Sequence, residues 1–293
     1  MAAIENNTAT KKTKIIYHYT CVWDRSGSIC SMGSEPTKAL RDFLVKLSEA
    51  GEEEEEIEVY VTVITHNQTS KICINNVKVS DLKLSEYPIR EWLDPEGGTR
   101  CYDTIIEALE LTDKNINTHK ASVPRLTRSS EYEYIYKTVL YVLTDGKDNK
   151  SGVNNIKVVD KYSLTKEEKE ARDAAIDARR IIMKEMIEKR RTENNMDTIL
   201  IAANMNAEEL AEKIGMSKES ALTIDSGEHS QVGFSCATNL ARSITKDADK
   251  YHDFGEIPPP PPSFSRMDRV SSAPRENSLG INMPSQLSRS TNG

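Results

Sequence analysis

The sequence predicts a doubly wound α/β domain, and three observations predict it. Six apolar, β-branched runs are spread along residues 14–254, with helical periodicities between them. Several runs are too uniformly apolar to be half-exposed, which suits a central sheet covered on both faces. The regular alternation of strand and helix puts helices on both sides of a mostly parallel sheet.

The strand-like runs are Ile15–Trp23, Ile57–Thr65, Lys71–Val79, Tyr134–Leu143, Met196–Ala203 and Ala221–Ile224. After the first, Ser34 reads as a helix cap with Pro36 in the first turn, followed by a stripe of Leu40, Phe43, Leu44 and Leu47. A second helix opens at Asp103, with Ile105, Ile106 and Leu109 inward. A capping box of Thr165 and Glu168 starts a third, which runs to about Arg191 with Ala171, Ala174, Ala175, Ala178, Ile181, Ile182 and Met186 as its apolar stripe. Shorter helices follow over Ala207–Ile214 and Val232–Ile244. The acidic run 52–56 reads as a solvated turn. The polar stretch Asn115–Ser130 reads as an insertion or mobile loop.

Residues 1–13 read as a flexible N-terminus and 14–254 as the folded domain. The segment 255–293 has few large apolar residues and a run of five prolines, Pro258, Pro259, Pro260, Pro261 and Pro262, so it reads as a disordered tail. A polyproline II helix there would suit a polyproline-reading domain as partner, or serve as a spacer.

Composition narrows the function. A net charge of −7 argues against a nucleic-acid partner held on a broad basic face. No run approaches the ~18 apolar residues of a membrane span, and Met1–Lys14 has no apolar stretch of the signal-peptide kind. The expectation is a cytoplasmic protein. Five cysteines without paired spacing read as reduced thiols packed as small hydrophobes.

The first strand ends in Asp24-Arg25-Ser26-Gly27-Ser28, the fourth in Thr144-Asp145-Gly146, and Gly97-Gly98-Thr99 directly precedes a helix. In an open α/β sheet, ligands bind outside the carboxyl ends of the strands where the strand order reverses. With the order 3-2-1-4-5-6, Asp24 and Asp145 face one crevice, and the two glycines let a third loop close over it. Such a crevice offers the carboxylates of Asp24 and Asp145 and the hydroxyls of Ser26, Ser28 and Thr99. Oxygen donors without imidazole or thiolate point to Mg²⁺, with Ca²⁺ or Mn²⁺ as alternatives. Two carboxylates only neutralise a divalent ion, which therefore still attracts a partner's Asp or Glu.

Asp24-Arg25-Ser26-Gly27-Ser28, Thr99 and Asp145 resemble the three elements of the metal-ion-dependent adhesion site of von Willebrand factor type A domains. The resemblance spans residues 14–250. It implies a Rossmann-like fold with an antiparallel edge strand over Lys71–Val79. It also implies Ser26, Ser28 and Thr99 as direct ligands, with Asp24 and Asp145 acting mostly through waters. The sequence departs from that pattern at Asp94-Pro95-Glu96, at the 115–130 stretch and at Thr65-His66-Asn67. The function expected is non-enzymatic: an interaction module that engages an acidic residue of a protein partner through the cation. The alternatives are a metal-dependent, phosphatase-like hydrolase using Asp24, with His66 as a base, and a metal-independent scaffold. Against the hydrolase, position 26 is serine rather than a second acid, and neither a nucleophile elbow nor a P-loop is present.

Overall fold

The computed structural model describes residues 12–52, 56–123, 132–153, 164–225, 230–246 and 262–272. Strands β1 (Lys12–Asp24), β2 (Ile57–His66), β3 (Ser70–Lys78), β4 (Tyr132–Thr144), β5 (Asp197–Ala203) and β6 (Ala221–Ile224) form one sheet in the order β3-β2-β1-β4-β5-β6. All neighbours are parallel except β2 and β3, so β3 is an antiparallel edge. The chain leaves β1 toward β2 and later returns to β4 on β1's other side. That reversal places the carboxyl ends of β1 and β4 side by side, with Trp23 opposite Leu143.

Helices cover both faces, as strands buried on both sides require. α1 (Glu35–Glu52) and α6 (Ser230–Lys246) pack on one face, where Leu40, Phe43, Leu44 and Leu47 are buried as their spacing predicts. Trp23 is fully buried there and stacks on Tyr141 at 5.8 Å and Phe234 at 6.1 Å. Aromatic pairs of this kind add ~0.5–1.5 kcal/mol each beyond area burial, which anchors β1 immediately before Asp24. On the other face lie α3 (Cys101–Ser122), α4 (Lys166–Glu193) and α5 (Ala207–Ile214) over a smaller core that includes Val22, Ile64, Ile105 and Leu200. A short helix, α2 (Ile89–Trp92), precedes the 97–99 loop.

Three expectations are corrected. The stretch from Asn115 is not a loop at its start: α3 continues unbroken to Ser122. Its second half carries polar residues on the inward side, and polar groups of the sheet meet them. Thr20 and Thr112 hydroxyls are 2.5 Å apart, Asn115 donates to Asn75 at 3.1 Å, and His119 is 2.9 Å from the Tyr136 hydroxyl. Residues 124–131 lie outside the described residues. The second correction concerns α4, whose capping box forms but whose stripe is rotated. Met183 and Ile187 are buried, while Ile181 and Ile182 are exposed. Ion pairs from Arg179 to Asp103 and from Arg190 to Asp113 fix the rotation, and they turn the alanine-rich face outward.

The third correction lies within the tail that reads as disordered. Residues 262–272 contain α7 (Arg266–Ser272), which packs on α6 and β6, and Phe264 is buried in the larger core. One aromatic anchor and one arginine supply the contacts that composition alone does not reveal. Pro258, Pro259, Pro260 and Pro261 lie outside the described residues, and Pro262 is half-buried.

Candidate functional site

Asp24 is the last residue of β1 and is fully buried. Both of its oxygens are held. The Ser26 N–H donates to one at 2.7 Å, as in an Asx turn, and the Thr144 hydroxyl donates to the other at 2.9 Å. The chain then turns through a 3₁₀ segment, Gly27–Met32, which points Ser26 and Ser28 toward the end of β4. The Ser28 hydroxyl donates to Asp145 at 2.8 Å, the Ser26 hydroxyl reaches the same oxygen at 3.4 Å, and the two hydroxyls are 3.1 Å apart.

Thr99 arrives from the third loop. Asn149 grips its backbone twice: Asn149 Oδ1 accepts from the Thr99 N–H at 3.1 Å, and the Asn149 N–H donates to the Thr99 carbonyl at 3.0 Å. A side chain at Gly98 would come within 2.6 Å of that Oδ1, so this close approach requires glycine. The loop is tied to the β1 turn by Gly27 N–H to Gly97 carbonyl at 3.1 Å and by Glu96 N–H to Arg25 carbonyl at 2.9 Å. A Cβ placed on Gly146 would lie 3.3 Å from the Thr99 hydroxyl and 3.4 Å from the Ser28 hydroxyl. The structure therefore brings Asp24, Ser26, Ser28, Thr99 and Asp145 to one point.

The electrostatics are lopsided. Of the nearby arginines, Arg25 lies 4.0 Å from Glu96, and Arg100 and Arg179 both pair with Asp103. Among the described residues none forms an ion pair with Asp24 or Asp145. Burial, and then the charge of Asp24, push the Asp145 carboxyl up to about 6. His66, opposite Asp24 in the strand register, is fully buried, and burial holds its imidazole toward the neutral form against the pull of Asp24 and Asp148.

Sequence reasoning missed the clamp around the site. The N-terminus of α3 has no capping side chain of its own, and Asp148 caps it from the loop after β4 by accepting the Tyr102 N–H at 2.8 Å. Ser151 receives the Asp103 N–H at 2.9 Å, and Asp103 accepts the Gly152 N–H at 2.8 Å. The turn-rich spacing Asp148-Asn149-Lys150-Ser151-Gly152 was the available signal, but its partners lie far away in the chain. The five cysteines are free; Cys21 and Cys101 are buried, whereas Cys30 is exposed rather than packed.

The donor chemistry fits a hard divalent cation: two carboxylates and three hydroxyls, with uncompensated negative charge. Among the described residues, no group of three or more His, Cys, Asp or Glu is placed to hold a metal, since three of the five donors here are hydroxyl-bearing. No helix among the described residues is long and apolar enough to cross a membrane.

No family model and no curated protein matches the chain. Among solved structures it is similar to the PilB minor pilin from Streptococcus sanguinis, at 15% identity, covering 80% of this chain and 62% of that one, with a TM-score of 0.46. It is also similar to the SpRpn10 VWA domain, at 12% identity over 72% of this chain and 89% of that one, TM-score 0.42. A third is proximal thread matrix protein 1 from the mussel byssus, described with a zinc-occupied MIDAS motif, at 15% identity over 80% of this chain and 47% of that one, TM-score 0.41. The chain thus spans less than two thirds of the pilin and about half of the byssus protein.

Proposed function

We propose that this chain is a cation-dependent protein-interaction module. Asp24, Ser26, Ser28, Thr99 and Asp145 would hold a divalent ion, Mg²⁺ first and Ca²⁺ or Mn²⁺ as alternatives. The bound ion would supply a Lewis-acidic attachment point for an Asp or Glu carboxylate on a partner protein. The chain's own part is to pre-position the donors: Thr144 and the Ser26 N–H orient Asp24, and Asn149 fixes Thr99.

The observation that carries this reading is the convergence of the five side chains around two acids that have no cationic partner among the described residues. A purely structural cluster would place an arginine or lysine there, as happens at Asp103 nearby. Thermal unfolding with and without Mg²⁺ tests it. The melting temperature of the wild type rises with Mg²⁺, and that of Thr99→Ala and Asp24→Ala does not. Equal responses in all three would refute the site. Affinity purification with and without a chelator then asks whether partner capture follows the ion.

A further inference from the structure

β6 is an edge strand of four residues, and the turn before it ends in Lys218, Glu219 and Ser220. Free edges expose carbonyl and amide groups that attract other chains. Here the edge is covered. Phe264 is buried with Leu222, Ile224 and Phe234, and its N–H donates to the Glu219 carbonyl at 2.8 Å. Five residues on, Arg269 donates to the carbonyls of Ala221 at 2.8 Å, Glu219 at 2.9 Å and Lys218 at 3.1 Å, and pairs with Glu208 at 2.5 Å.

The receiving surface is shaped for a helix. Ser272 is fully buried and donates to the Asp268 carbonyl at 2.6 Å. It sits over Gly233 of α6, where an added Cβ would come within 3.2 Å of the Ser272 Cβ and 2.2 Å of Ile224. Ser265 and Asp268 close α7 with reciprocal bonds of 2.8 and 3.1 Å, so the segment brings its own helix start. Three contacts carry the docking: an aromatic residue, an arginine five positions later, and a small residue three positions after that.

We propose that the groove formed by the β6 edge, the 217–221 turn and α6 is a peptide-docking surface. Its ligands are short amphipathic helices with an aromatic residue five positions before an arginine, and residues 262–272 are its resident occupant in cis. Burial of the aromatic ring supplies the apolar contribution. The guanidinium reads the carbonyls of Lys218, Glu219 and Ala221 together, which a lysine's single ammonium does less well. Being part of the same chain, the resident segment competes for the groove without a bimolecular step, so it excludes a free peptide until it is weakened. This surface is separate from the cluster around Asp24 and does not depend on the cation reading.

The test uses the full chain and a fluorescein-labelled peptide of residues 262–272. In Phe264→Ala/Arg269→Ala protein the resident segment is loosened, and fluorescence anisotropy then reports binding of the wild-type peptide about a hundred-fold tighter than to the unmodified chain. Peptides carrying the Phe264→Ala or Arg269→Ala change do not bind. A circular-dichroism melt checks that the double variant is folded, and a milder Arg269→Lys protein provides a second released form. Failure of the wild-type peptide to bind either folded variant overturns the proposal, as does equal binding of all three peptides.

Discussion

Two acidic centres sit at the same end of the sheet, and they are built in opposite ways. Asp103 is buried and closed: Arg100 and Arg179 pair with it, and the Gly152 N–H donates to it. Asp24 and Asp145 take hydroxyls and an amide as partners, with no cation among the described residues. The closed centre joins α3, α4 and the 148–152 loop. The open centre carries negative charge that the rest of the site does not cancel. The contrast separates an acid that braces the fold through ion pairs from two acids whose partners are all uncharged.

The comparison can be broken most directly at Asp103. Asp103→Ala strips Arg179 of its ion-pair partner and leaves Arg100 with Glu107 alone, and it is expected to cost about 3 kcal/mol, with or without Mg²⁺, measured by urea unfolding. A loss that Mg²⁺ restores would erase the distinction between the centres. The second-largest effect concerns the open centre. Mg²⁺ at a hundred times its dissociation constant raises wild-type stability by about 2.7 kcal/mol, and Thr99→Ala abolishes that gain.

pH sharpens the contrast further. The Asp145 carboxyl is raised to about 6, so its ionised form burdens the native state. The native protein holds this proton more tightly than the unfolded chain does. The associated stability is therefore complete below the unfolded value of about 4 and is lost as pH rises through about 6. Without Mg²⁺, Asp145→Asn then stabilises the protein at pH 7 by about 1 kcal/mol, a figure discounted for the group's partial exposure, and has no effect at pH 4. A pH-independent change would contradict the assignment. The smallest effect is expected in the neutral polar seam under α3. Thr20→Val with Thr112→Val removes both members of a satisfied pair and should shift stability by no more than about 0.5 kcal/mol.

How much of this was legible in the sequence depends on the range of the contacts. The strands themselves were legible as apolar runs that end near Asp24 and Thr144, because burial on both faces leaves a local signature, whereas their order came from the arrangement common to doubly wound sheets. The second half of α3 left none. Thr112, Asn115 and His119 face Thr20, Asn75 and Tyr136, so the helix has no apolar stripe there to read. The rotation of α4 depends on Arg179 and Arg190 finding acids in α3, a choice between two similar faces that only long-range pairing decides. Asn149 and Asp148 escaped for the same reason, being polar loop residues whose partners lie about fifty positions earlier. The docking of α7 hinges on two residues, Phe264 and Arg269, within a segment whose average composition points the other way.

The double grip of Asn149 on Thr99 has a mechanical corollary. One residue from each of two distant loops is joined by a pair of bonds, one to the N–H and one to the carbonyl, much as two strands are joined across a single rung. The loops therefore shift together. A displacement of a few tenths of an ångström where Thr99 sits would pass through Asn149 to its neighbours Asp148, Ser151 and Gly152, whose bonds hold the start of α3 and Asp103, and from Asp103 to Arg179 of α4.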